Sequence, residues 1–342
     1  MANIHDLLDE INHLKEKINK SKNNDSVIIV MNSCGDLGDK IKSKLDNKIR
    51  SIDTKFFHFG NNEVNTFPAE SIREKRVFII GTGSNYGGSI NDNCMAMFAM
   101  VRACRDASAR DITLICGYYP YCRSDKKDQG RAPIMAKLIG DFAKVAGAGR
   151  LVTVDLHASQ IQGFFDGPFD NLYAIDYLVN VIKKDYHIPD CVLVSPDAGG
   201  EKRVAAWATK LNIPYTFLTK SRNHNAISAI NKHELVHKLD FKGKTAIIVD
   251  DIGDTLSTLK SASKILKENG VCKVVCAVTH GIFSGNAYEK LLDDDIDFMY
   301  VTNTLPQNQP EPPKIKIVDL SELFAEIILR CVDGKSLSSM FT

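Results

Sequence analysis

A chain of 342 residues with 44% hydrophobic and 25% charged positions has the composition of an ordinary globular protein. At roughly 150 residues per domain it should hold about two. Lys+Arg 43 against Asp+Glu 42 leaves a formal charge of +1, so there is no bulk electrostatic pull toward nucleic acid. The nine cysteines are scattered, odd in number and without paired metal-ligand spacing. That pattern suits free thiols in a reducing, cytoplasmic setting and argues against a disulfide scaffold or a zinc module. No apolar run approaches the roughly 18 residues of a membrane helix, so no membrane partner is expected.

Residues 1–25 lack the apolar core of a secretory signal and the Arg-rich, acid-poor character of a mitochondrial presequence. Ile4, Leu7, Ile11, Leu14 and Ile18 alternate three and four apart, which predicts a short amphipathic helix followed by a linker. Docking on its own domain, an oligomer contact and a frayed tail are all open for it. From residue 26 apolar runs alternate with amphipathic stretches. Strands are predicted at 27–31, 77–80, 112–115, 151–154, 191–194, 245–249, 273–278 and 298–301, and helices at 91–105, 134–146, 201–211 and 258–269. This alternation argues for an α/β chain of parallel sheets covered on both faces. Ligands of such sheets bind beyond the carboxyl ends of the strands. The post-strand turns 81–92 and 250–258 hint at two similar halves.

Four post-strand segments carry chemistry. In GYYPYCRSDKKDQGRAPIMAKL (117–138), Arg123, Lys126, Lys127 and Arg131 form a basic stretch before a helix marked by Pro133. The residues alone allow a solvated face or a grip on a triphosphate. In DLHASQIQGFFDGPFDN (155–171), Asp155 and His157 alternate at a strand end, with Asp166 and Asp170 on the turn that follows. An imidazole among carboxylates can ligate a divalent ion directly or through water. In VLVSPDAGGEKRVAAWA (192–208), Asp197 follows a strand and Gly199–Gly200 permits close approach of a phosphate. Lys220 and Arg222 lie on a polar segment that follows a short strand predicted at 215–218 and reads as a mobile loop.

TAIIVDDIGDTLSTLKSA (245–262) is the sharpest. A β-branched run ends in Asp250 and Asp251, then Asp254, Thr255, Leu256, Ser257 and Thr258 turn into a helix. Backbone N–H groups and hydroxyls converge there on a helix N-terminus, where an anion is favoured. The two carboxylates would repel a phosphate and suit vicinal sugar hydroxyls, or a metal bridging to them. Together they predict a ribose 5-phosphate site.

This turn is similar to the motif with which phosphoribosyl-diphosphate-handling enzymes hold the sugar phosphate. DLHASQIQGFFDGPFDNLYA (155–174) resembles the signature of the ribose-phosphate pyrophosphokinases, or phosphoribosyl diphosphate synthetases. KKDQGRAPI, SPDAGGEKR, FGNNEV (59–64), THGIFSG (279–285) and VTNTLPQ (301–307) resemble further motifs of that family, in order from about residue 26 to Phe341. The resemblance implies two phosphoribosyltransferase-like domains, each a mainly parallel sheet flanked by helices. They would span 26–172 (ATP side) and 173–330 (ribose 5-phosphate side), with 331–342 packing back on the first. It implies a Mg²⁺-dependent enzyme of nucleotide biosynthesis. Such an enzyme moves the diphosphoryl group of ATP to the 1-hydroxyl of ribose 5-phosphate, giving AMP and 5-phosphoribosyl 1-diphosphate. Phe59, Asn61 and Glu63, across a subunit boundary, would hold adenine, and Arg123, Ser124, Lys126 and Asp128 the rest of ATP. Asp155, His157, Asp166, Asp170 and Asp197 would serve the metal. Lys220 and Arg222 would be catalytic, with Arg222, Asp250, Asp251, Asp254, Thr255, Leu256, Ser257 and Thr258 on ribose 5-phosphate. Ser124 replaces the family's usual Gln and Ser257 its usual Gly.

The resemblance also implies the phosphate-activated, ADP-inhibited class, a homo-oligomer that forms a hexamer built from dimers. Ser71, Arg73, Gln162, Asn171, Ser336 and Ser338 match its effector site. Two rivals stand beside this reading. A type I phosphoribosyltransferase shares the 250–258 turn but has no place for the 117–138 and 155–171 segments. A non-catalytic regulatory homologue would have the same fold.

Overall fold

The computed structural model describes residues 25–221, 232–236, 239–307 and 314–337, with 8, 10, 11, 13 and 340; the side chains at 220, 221 and 232–234 lie outside that description. The chain divides into two units, residues up to Tyr173 with Ser321 onward, and Ala174–Leu320.

In the first unit six strands form a parallel sheet in the order β2-β1-β5-β6-β7-β8. They are β1 (Ser26–Val30), β2 (Arg50–Ile52), β5 (Arg76–Gly81), β6 (Asp111–Cys116), β7 (Arg150–Val154) and β8 (Phe169–Leu172). Ile28, Ile29, Ile79 and Ile80 are fully buried. The central strands therefore read as continuous apolar runs, because both faces are covered. The covering helices are α1 (Asp36–Leu45), α2 (Ile90–Asp106) and α3 (Met135–Ala146). In α3 the buried residues Ala136, Ile139, Gly140, Ala143 and Ala146 recur three and four apart. β3 (Thr54–His58) and β4 (Val64–Pro68) form a separate antiparallel hairpin. In the amino-terminal segment Leu8 and Ile11 are helical and exposed, so Ile11 is not covered as a docked seam would require. Ile4, Leu7, Leu14 and Ile18 lie outside the described residues.

The second unit holds α4 (Ile175–Asp185), β9 (Cys191–Ser195), α5 (Glu201–Leu211), β10 (Tyr215–Ser221), β11 (Lys232–Leu235) and β12 (Thr245–Gly253). It continues through α6 (Ser257–Glu268), β13 (Lys273–Gly281), α7 (Ala287–Leu292), β14 (Phe298–Thr302) and β15 (Ile315–Val318). Its sheet runs β11-β10-β9-β12-β13-β14-β15, parallel except for β11. Val194, Ile248, Leu266, Val274, Val278 and Met299 belong to one buried cluster between sheet and helices. The chain then returns to the first unit as α8 (Ser321–Asp333), which packs on α1. The sequence places that return at 331, but Phe324, Ile327 and Ile328 are already fully buried, so the whole helix belongs to the first unit. All nine cysteines are free thiols. Among the described residues no helix is long and apolar enough to cross a membrane.

Candidate active site

Register gathers the second unit's chemistry on one edge. Phe217 of β10 pairs with Ser195 of β9, and Ile248 of β12 pairs with Val194. Asp197, Lys220 and the Asp250–Asp251 pair therefore emerge from three adjacent parallel strands at the same carboxyl edge. β10 runs on past 218 and pairs with β11, so Lys220 lies in the strand opposite His233 and not on a loop, and Arg222 falls outside the described residues.

The turn from β12 into α6 has the form an anion needs. The Gly253 carbonyl accepts from the N–H groups of Ile282 and Phe283 at 2.9 and 3.1 Å, which ties the strand end to the loop after β13. Leu256, at φ 58 and ψ 6, swings the chain into the helix while its own side chain is buried. Thr255, Ser257 and Thr258 are left exposed and Asp254 half-buried. No side chain caps α6, and its first turn has no acidic residue. The first N–H groups of a helix lack intrahelical partners, so here they face outward. The counterpart turn of the first unit is closed. Ser89 accepts from Asp92 N–H at 3.1 Å and Asp92 accepts from Ser89 N–H at 2.9 Å, a reciprocal cap that occupies the start of α2. Of these two matching turns, one is open to a phosphate.

Asp250 and Asp251 share a partner that the sequence analysis passed over. Arg203 of α5 reaches Asp250 Oδ1 with Nη1 and Asp251 Oδ1 with Nη2, both at 3.1 Å. Asp250 Oδ1 also accepts from Asp251 N–H at 2.9 Å. Burial, then the adjoining Asp251 carboxylate, pushes Asp250 well above the usual carboxylate range, and Arg203 opposes the rise. Arg203 lies within the SPDAGGEKR motif, which marked its position but not its partners. Lys290 of α7 was also missed. Its Nζ donates to the Thr255 carbonyl at 2.8 Å and to Ser257 Oγ at 2.7 Å. Thirty-five positions separate Lys290 from Thr255, and no motif links them. Asp197 caps its own turn, accepting from Gly200 N–H at 3.1 Å. A Cβ on Gly200 would run into Ser195 Oγ, which accounts for the second glycine of that motif.

In the first unit, Asp155 and His157 follow β7 and the 123–131 stretch follows β6, at one carboxyl edge. Arg123, Lys126 and Asp128 are exposed, with Lys126 3.7 Å from Asp128. Ser124 is committed to structure, since its Oγ accepts from Met135 N–H at 3.4 Å and its carbonyl from Ala136 N–H at 3.1 Å, holding the start of α3. Phe59, Asn61 and Glu63 sit on the exposed tip of the β3–β4 hairpin. Asn62 takes φ 68 there, a conformation asparagine tolerates.

The three acids and the histidine expected at a metal in this unit do not come together. Asp170 pairs in register with Val152, well before the end of β7, and its carboxylate meets Arg150 at 2.7 Å. Asp166 is exposed beside Lys144, 3.9 Å away. Asp155 and His157 alone remain at the carboxyl edge. Among the described residues no three of His, Cys, Asp or Glu form a metal-holding group. Asp170 instead lines a cavity of about 360 Å³ at the amino edge, with Arg76, Asp111, Arg150, Cys331, Lys335 and Ser336. Of the other residues expected to bind an effector, Ser71 and Arg73 are exposed, Gln162 donates to the Ser159 carbonyl, and buried Asn171 accepts from Leu156 N–H. Ser338 is outside the described residues.

Two family profiles match the chain, one in each half. Residues 26–147 match the family profile described as the N-terminal domain of ribose phosphate pyrophosphokinase, and 209–342 that of the phosphoribosyl synthetase-associated domain. The chain is 42% identical over 315 residues to ribose-phosphate pyrophosphokinase 4 of Saccharomyces cerevisiae, covering 92% of this chain and 94% of that one. The chain belongs to the ribose-phosphate pyrophosphokinase family. Ribose-phosphate pyrophosphokinase 2 of Schizosaccharomyces pombe is 40% identical, over 92% of this chain and 97% of its own length. The crystal structure of phosphoribosylpyrophosphate synthetase from Mycobacterium smegmatis superposes with a TM-score of 0.83 at 33% identity, covering 91% of this chain and 100% of that one. The family match begins at residue 26, so the amphipathic segment before it lies outside the shared region. The fold expected from the sequence, two mainly parallel sheets flanked by helices, is the fold of this family member.

Proposed function

We propose that this chain transfers the β,γ-diphosphoryl group of ATP to the 1-hydroxyl of ribose 5-phosphate, as a cytoplasmic homo-oligomer. The 1-oxygen bonds to the β-phosphorus, the bond from that phosphorus to the α,β-bridging oxygen breaks, and AMP leaves with that oxygen. The hydroxyl proton goes to solvent. The observation that carries this reading is the open turn at 250–258, where an uncapped helix start for a phosphate adjoins a carboxylate pair for sugar hydroxyls. Arg203 holds that pair in one orientation. Lys220 and Arg222 would stabilise charge as it builds on the leaving oxygen, the task of fixed cations in phosphoryl-type transfer.

Magnesium fits the donors present. It takes one or two protein ligands and fills its shell with water and substrate phosphates, so it needs no protein cage. Asp155 and His157 would offer such ligands in the first unit and Asp197 in the second, whereas Asp170 is engaged by Arg150 and Asp166 lies 3.9 Å from Lys144. Its chemistry would be to neutralise charge on the phosphate oxygens. Orthophosphate and ADP are the effectors this reading expects.

The test is AMP release from ATP and ribose 5-phosphate, with and without orthophosphate. The wild-type chain should turn over, and Lys220→Ala should melt like wild type but lose about 10³-fold in kcat. Phosphoribosyl transfer to a base without AMP release would make the chain a phosphoribosyltransferase. Intact oligomers without any turnover would make it a non-catalytic homologue.

A further inference from the structure

Lys290 stands in an unusual place for a cation. Its ammonium lies against the first residue of α6, Ser257, where the helix dipole is positive and a lysine is electrostatically disfavoured. No carboxylate pairs with it among the described residues; its partners are the Thr255 carbonyl and the Ser257 hydroxyl, both neutral acceptors. The hydroxyl of Ser257 also lies 3.3 Å from Thr255 Oγ1. A serine hydroxyl has two acceptor sites and one donor; Lys290, which can only donate, takes an acceptor site and leaves the single proton available to a ligand. An ammonium has three donors, and two of these are spent on the loop.

We propose that Lys290 is a positioning residue of the sugar-phosphate turn. It fixes the turn through the Thr255 carbonyl and commits Ser257 to donate its proton to a phosphoryl oxygen of a sugar monophosphate, with the lysine charge as the counter-ion. The proposal rests on the reading above that this turn holds the 5-phosphate. It also explains how a serine serves at 257, because Lys290 turns an ambivalent hydroxyl into a donor.

Steady-state kinetics on the full-length chain test it. A hydrogen bond to a charged group is worth roughly a tenfold to hundredfold change in affinity. Lys290→Ala should raise KM for ribose 5-phosphate by about tenfold or more while KM for ATP stays within about twofold. Lys290→Arg, which keeps charge and donors, should recover most of the loss. Ser257→Ala should raise the same KM, and the double variant should be no worse than Lys290→Ala, since the two residues act as a unit. An unchanged KM for ribose 5-phosphate in Lys290→Ala, an equal rise for both substrates, or no rescue by arginine overturns the proposal. Should Lys290→Ala lose its cooperative melting transition, Ser257→Ala decides, because its side chain is exposed; an unchanged KM there overturns the proposal. A wild-type chain that neither binds ribose 5-phosphate nor releases AMP instead overturns the functional reading and takes the proposal with it.

Discussion

Two carboxylates share one guanidinium near the end of β12, and the charge on Asp250 is one that folding disfavours. Burial lifts Asp250 above its ordinary 3.8, which means that folding disfavours its ionised form. The cost is absent below the unfolded value, grows as pH climbs past it and is complete above the folded value. Asp250→Asn removes the charge and keeps an Oδ1 to accept from Asp251 N–H. The variant should therefore melt at or above the wild-type temperature near neutral pH, and its advantage should shrink as pH falls toward 3.8. Binding of ribose 5-phosphate should be lost in the same variant. Melting curves across pH check the sign, and a variant less stable than wild type at pH 7 would show that Arg203 more than compensates the pair. The carboxylates were legible because adjacent acids at a strand end have few structural uses. Arg203 and Lys290 were not, because a basic residue on a helix reads as a solvated face until the fold shows what it touches. Asp170 misled for the converse reason, since residue type says nothing of register.

A whole element hinges on Leu256. It occupies the left-handed region at φ 58 with its side chain 3% exposed, inside the core between α6 and the sheet. The backbone strain of such a non-glycine residue is of order 1–2 kcal/mol, held by burial worth about 2 kcal/mol. Leu256→Ala keeps the strain, loses the burial and leaves a cavity, and should cost about 2–5 kcal/mol. Leu256→Gly loses the same burial but relieves the strain. It should be no less stable than the alanine variant, reversing the ordinary order in which glycine is about 1 kcal/mol worse. Denaturant unfolding of the two variants measures the difference, and glycine falling below alanine would mean that the turn is unstrained. Sequence hid this hinge because leucine seldom adopts positive φ. The long apolar strands were plain, since burial on both faces writes a continuous run. The segments β2, β3, β4, β8, β11 and β15 were not predicted, being short or lying at edges or in the exposed hairpin, where neither period nor apolarity accumulates. The contrast between the capped and uncapped turns was only half visible, since SINDN shows the spacing of a reciprocal cap but not whether it forms.

At the scale of the molecule, the two units are made differently by the chain. The first is discontinuous and depends on α8, whose Leu323, Phe324, Ile327 and Ile328 are at most 3% exposed. At about 2 kcal/mol each these side chains bring about 8 kcal/mol, comparable with the whole stability of a domain, about 5–15 kcal/mol. Deleting residues 321–342 should therefore leave the first unit unfolded and open to protease. The second unit is one continuous stretch with its own sheet and core, and Arg203, the 250–258 turn and Lys290 all lie in it. A fragment of residues 174–320 should melt cooperatively and bind ribose 5-phosphate by calorimetry, yet release no AMP from ATP, because the segments expected to hold the nucleotide belong to the first unit. A fragment that folds but does not bind the sugar phosphate would mean that the turn is completed by residues outside its own unit, and the assignment of 250–258 as a self-sufficient sugar-phosphate site would be wrong.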